Sequence, residues 1–305
     1  MTDRTPSRGA RTTSGAGTTS GAGAPLTADD YRTVVLRTFR YLRIGMVVLV
    51  GLLGAAVVLE VRSTGHWLDS LSAYYYTPAH SVFVASLCAI GVCLIVYRGR
   101  DDVEDLVLNA CGFLAFVVAF VPTTIDTSVS CSNSAAFCTV PPATIEANVA
   151  ALLWVSAVSL ALGFLISIRQ PGSAAGSLVT TSTRIAFFSL LAGFVVIAAF
   201  FLGWRQQFLK VGHYGAAILF FVGIVIVVWR NGRRLGSDDW LGPRMTSQFV
   251  NRYAVGFYVM IASSIVLIIA GRLKLYPHGL LWLETSLILQ FAFFWVTQTI
   301  EQWNE

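Results

Sequence analysis

The chain is short of charge: only 12% of its 305 residues are Asp, Glu, Lys or Arg, about half the usual share of a soluble protein. Lysine is scarcer still, with two residues against nineteen arginines. So little charge argues against a soluble globule. No basic stretch is interleaved with exposed aromatics, which sets nucleic acid aside as a partner. Chemical motifs are missing as well. There is no GxxxxGK[ST] phosphate loop, no GxGxxG turn, no HExxH zinc helix and no GxSxG elbow, which removes nucleotide-driven transport and the best-marked hydrolases. No CxxC or other metal-spaced cysteine pair exists among the five cysteines. Nothing alternates at period two over ten-residue stretches, as a membrane barrel requires. No repeat relates the two halves of the chain in the way that marks many secondary transporters.

What remains is apolar. Hydrophobic residues make up 55% of the chain, and the charges cluster between apolar runs of the length that crosses a bilayer, about 18 residues or more. These runs predict an all-α polytopic transmembrane bundle of eight spans, at residues 42–61, 81–97, 103–122, 147–168, 185–203, 213–229, 253–271 and 280–300. Backbone groups in lipid must be satisfied within the segment, so helices are the form these runs take. Residues 1–30, rich in Gly, Ser, Thr and Ala, have too little apolar surface to offset ordering entropy and read as a disordered cytoplasmic tail. Residues 31–305 then form the transmembrane domain. The first apolar run is long enough to span and ends without a small-residue cleavage site, so it reads as a retained span.

Orientation follows from the basic residues. With the N-terminus inside, cytoplasmic segments carry 16 Arg or Lys and outer loops carry 5, the asymmetry of a multi-pass protein of the cell membrane with both termini cytoplasmic. Membrane lipids are its obligatory partners. In this topology Cys131 and Cys138 share the longest outer loop, on the oxidising side, and are expected to form a disulfide. Small residues at helical spacing, Gly51 with Ala55 and Gly212 with Ala216, are expected to bring helices close.

Polar residues gather toward one face. His66, His80, His213 and His278 all map to outer loops or outer halves of spans, with Asp69, Ser70, Ser72, Asp126, Glu146, Arg205 and Glu284. His80, His213 and His278 sit near the outer ends of three spans, where convergence would make a metal site, zinc being the candidate cofactor. The bland reading is that these are interfacial groups of an aromatic belt, as for WLDSLSAYYYTPAH. Glu284 lies about one turn inside the last span, where an ionisable group turns toward a partner or a cavity. A basic partner is expected, from Arg205, Lys210, His213, Arg272 or His278. Asp102 and Asp105 fall at the start of the third span, where carboxylates favour the helix dipole. Asn109, a turn deeper, is expected to bond to a neighbouring helix.

The segments SLSAYYYTPAHSVFVASLCAIGVCLIVYRG, HYGAAILFF and LLWLETSLILQFAFFWV resemble a group of multi-span bacterial membrane proteins that carries no firm activity to borrow. In that group a Ser-Tyr-rich entry, one His and one Glu recur in these places. The resemblance therefore implies Ser70, Ser72, Tyr75, Tyr76, His213 and Glu284 as ligand-binding or proton-handling residues. A more distant similarity is to the alkaline ceramidase and progestin/adiponectin receptor superfamily, whose zinc-dependent members place a Ser, an Asp and several His near one membrane face. Its HxxxH and SxxxH pairs are absent here, so a zinc site would rest on His80, His213 and His278 instead.

Three functions compete on these residues. The first is a binding, sensory or structural membrane component that recognises a small-molecule or lipid ligand. The second is a proton-coupled transporter using Glu284 and His213. The third is an outward-facing metal-dependent hydrolase of a lipid or envelope substrate, with Asp69 or Glu284 as base.

Overall fold

The computed structural model describes residues 28–123, 141–169, 181–235, 251–301 and 303. The expected tail, up to residue 27, Asp126 and the Cys131–Cys138 pairing lie outside the described residues. Within them the chain is helical, without a strand. Eight α-helices follow one another: α1 Ala28–Thr64, α2 His80–Val96, α3 Asp102–Phe120, α4 Pro142–Arg169, α5 Thr181–Gly203, α6 Arg205–Leu235, α7 Arg252–Arg272 and α8 Gly279–Glu301. A short 3₁₀ turn, Ser72–Tyr76, sits between α1 and α2. Seven of the helices are long and apolar enough to cross a membrane, and α2, with 17 residues, is apolar but shorter. The chain is a membrane-spanning helical protein.

Every expected apolar run is helical, but two helices outrun their runs. α1 begins at Ala28 and α6 covers Arg205–Leu235, because a helix need not stop where its apolar run stops if polar ends find partners. Arg40 does so, donating to the Trp303 carbonyl at 2.5 Å with its guanidinium 4.4 Å from the Trp303 ring.

Neighbour relations define the architecture. α1, α2, α3, α6, α7 and α8 pack in that order and close back on α1, while α4 and α5 pack outside, against α3, α6 and each other. Half of the α3 span window is buried, against 6% of the α5 window, which separates centre from satellite. The centre is filled by Met46, Leu94, Leu108, Ile224, Phe291 and Trp295. Tyr97 packs edge-on to Trp295, centroids 4.9 Å apart.

The closest helix approach is not at the expected small-residue pairs. A Cβ on Gly51 would meet nothing within 4 Å, and one on Gly212 would meet only Phe208 of its own helix. α2 and α3 instead touch at Gly91 and Gly112, where an added Cβ would lie 2.8 and 2.6 Å from the facing carbonyl oxygen. On α6, Gly223 lies against the Cys111 thiol. Backbones this close leave no room for a side chain, whereas spacing alone does not say which face meets a neighbour.

Candidate functional site

One end of the bundle gathers the C-terminal ends of α1 and α3 with the N-terminal ends of α2, α6 and α8. The connection from α7 reverses through Lys274 and His278, both with left-handed backbone (φ 53° and 57°), and starts α8 beside the segment before the 3₁₀ turn. The Leu281 N–H there donates to the Asp69 carbonyl at 2.9 Å, satisfying one of the orphan donors of the α8 first turn. This contact fixes α8 against the turn and carries Glu284, one turn further, to its place.

The Glu284 carboxylate accepts from the Leu71 N–H at 2.6 Å, the Ser72 N–H at 3.4 Å and the Ser72 hydroxyl at 3.2 Å. Ser70 supports the same turn: its hydroxyl accepts from the Ala73 N–H at 3.1 Å and lies 3.3 Å from the Ser72 hydroxyl. Both serines are buried. The expected cationic partner is therefore corrected: backbone and hydroxyl donors answer Glu284, an arrangement that stabilises a carboxylate without a second charge to desolvate.

Beneath the turn lies a cavity of about 60 Å³, lined by Glu284, Ser72 and His213 among apolar side chains such as Leu53, Phe83 and Phe220. It has room for a few waters. The buried His213 ring donates from Nδ1 to the Val121 carbonyl at 2.6 Å; a carbonyl can only accept, so Nδ1 carries the proton. Beside it, the Tyr76 hydroxyl donates to the Thr123 carbonyl at 2.7 Å, and the Thr123 hydroxyl meets the Tyr214 hydroxyl at 2.6 Å. Burial pushes the Tyr76 phenol up to about 12, so it stays a protonated donor that ties the turn to the end of α3. Tyr75 is buried by ring packing, edge-on to His80 at 4.3 Å.

Of the residues expected from the sequence, Ser70, Ser72, His213 and Glu284 are thus brought to one place. The three histidines are not. His80 bonds through Nδ1 to the Tyr75 carbonyl at 2.7 Å, His213 to Val121, and His278 to the Asp69 carboxylate at 2.8 Å. Among the described residues no three His, Cys, Asp or Glu side chains form a group that could hold a metal, and the expected zinc triad is corrected on that geometry. Asp69, with its side chain 91% exposed, is a surface partner of His278 and stands away from the cavity as a base.

The opposite end holds a polar network that the sequence reading passed over. Glu104, fully buried, accepts from Asn231 at 3.0 Å, from Arg234 at 3.3 Å and from the Arg100 N–H at 3.2 Å. Gln298 joins Asn231 at 3.3 Å and accepts from the Tyr97 hydroxyl at 3.2 Å. Asp101 pairs with Arg230 at 2.6 Å and with Arg234. Asp101 caps α3, accepting from the Glu104 N–H at 2.7 Å, and Asp102 and Asp105 lie in the first turn as expected. Asp105 bonds to the Gly99 N–H and pairs with Arg98. Asn109 donates to its own helix, at the Asp105 carbonyl, rather than across. Glu104 falls at the very start of the expected third span, beside Asp102 and Asp105, so its position alone did not separate it from the carboxylates of a helix's first turn.

No family model matches the chain, and no curated protein or solved structure does so either.

Proposed function

We propose that this is an eight-span protein of the cell membrane, both termini on the arginine-rich side, that acts as a ligand-binding or sensory component through the cavity under the Ser70–Tyr76 turn. One observation carries the reading: Glu284 both lines that cavity and holds the turn above it. A ligand that offers its own N–H or O–H donors to Glu284 competes with Leu71 and Ser72, so binding is coupled to release of the turn. The coupling is limited to the difference in affinity for the two states.

The test is a thermal-shift titration of the detergent-purified protein with small amines and neutral hydroxyl amphiphiles. A saturable shift in wild type that disappears in Glu284→Ala, which removes the acceptor, supports the reading, and shifts that survive that change sink it. Sidedness is checked with an impermeant maleimide on a cysteine-free background: His66→Cys is expected to label in intact cells, Arg100→Cys only after permeabilisation.

A second reading, a proton-coupled permease, is favoured by the fact that His213 and Glu284 line the same cavity. Proton movement into proteoliposomes that requires both residues would select it. The metal-dependent hydrolase has no comparable support, since among the described residues its three candidate ligands form no group that could hold a metal.

A further inference from the structure

A larger cavity lies away from this site. Between α3, α4 and α5 is a space of about 690 Å³, against about 60 Å³ under the turn, and within the range of small-ligand sites, roughly 300–1,000 Å³. Its walls are mostly Leu, Phe, Val and Ala, but Asn148, Ser156 and Ser159 of α4 and Ser189 of α5 line it too. None of these four side chains has a hydrogen-bond partner among the described residues. Several other span hydroxyls bond back one turn, Ser264 to the Met260 carbonyl at 2.6 Å, Thr297 to Phe293 at 2.9 Å and Thr299 to Trp295 at 2.7 Å, while the buried Ser86 of α2 is also without a partner among the described residues.

The contrast has a physical meaning. In hydrocarbon, polar groups without partners are costly, so they are expected to find one. Asn148, Ser156 and Ser159 lie at i, i+8 and i+11, one stripe of α4 about 16 Å long at 1.5 Å per residue. That stripe runs from near the end of the helix to about mid-span, a depth where an ordinary acyl chain offers no acceptor or donor. The rim residues Val155 and Leu219 are exposed on the flank, so the way in is from the bilayer.

We propose that this cavity binds a membrane lipid that carries a hydroxyl or carbonyl part-way along its apolar body. The probes are stearic acid and 12-hydroxystearic acid, radiolabelled, in equilibrium binding to the full chain in nanodiscs. The hydroxylated probe is expected to bind at least tenfold tighter. In a variant combining Ser156→Ala, Ser159→Ala and Ser189→Ala the two probes should bind alike, with stearate affinity unchanged, which also reports that the fold survives. Thr297→Ala, whose hydroxyl bonds back within α8, should leave the preference intact. Equal binding by wild type, a preference that persists in the triple variant, or no saturable binding of either probe would overturn the proposal. The last outcome would mean that bulk acyl chains alone fill the space.

Discussion

Two glutamates stand near opposite ends of the bundle, each within the first two turns of its helix, and they are satisfied differently. Glu104 is fully buried and is met by an arginine, an amide and a backbone N–H, in a network that joins α2, α3, α6 and α8. Glu284 is met by the N–H groups and hydroxyl of a single turn, and a cavity lies beside it. The first arrangement commits the carboxylate, because removing it takes one acceptor from three donors on different parts of the chain at once. The second leaves it negotiable, because the same donors can bond to water when it lets go. One end is therefore built to clamp helices, and the other has the features of a site.

The largest expected effect separates the two ends. Glu104→Ala removes an acceptor shared by Asn231, Arg234 and the Arg100 N–H, although Arg234 keeps Asp101 and Asn231 keeps the Val227 carbonyl, and unfolding in mixed micelles should show a loss of about 3 kcal/mol. Gly112→Ala, at the contact where α2 and α3 nearly touch, should lose about 1–3 kcal/mol by overpacking, while Gly51→Ala, with nothing near it, should be neutral by the same measurement. Glu284→Ala is expected to cost about 1–3 kcal/mol through the unmet turn donors, and Glu284→Gln less, since its carbonyl still accepts. Equal losses for Glu104→Ala and Glu284→Ala would erase the distinction drawn between the ends. The smallest effect belongs to the exposed Asp69–His278 pair. His278→Ala should change stability by less than about 1 kcal/mol, and His278→Gly should be neutral or better, because glycine relieves the left-handed backbone there.

The expectation for Glu284 shows how far a sequence carries such a site. An ionisable group inside an apolar run announces that it does not face lipid, and the cavity and polar partners bear that out. The sign of the partner was not legible, because a carboxylate can be stabilised by cations or by oriented N–H groups alike, and backbone donors look the same at every residue. The histidines fail for a related reason. Their shared depth follows from hydropathy, but whether three rings meet depends on the rotation of three helices about their own axes. Glu104, Asn231 and Gln298 were passed over because polar residues near a helix end are usually met by solvent or headgroups.

By itself the sequence determined the helices and the position of each polar residue along them, because hydropathy and the period of a helix are local properties of the chain. It also determined that Glu284 must turn inward. Only the tertiary structure decided that six helices close around a centre while α4 and α5 stand outside it, and that glycines 91 and 112 bring the backbones of α2 and α3 into close contact. It alone set the Ser70–Tyr76 turn over Glu284 and opened a lined space beside Ser156, Ser159 and Ser189. These depend on which faces meet, which is set by packing between segments far apart in the chain, and that information is distributed over all of them.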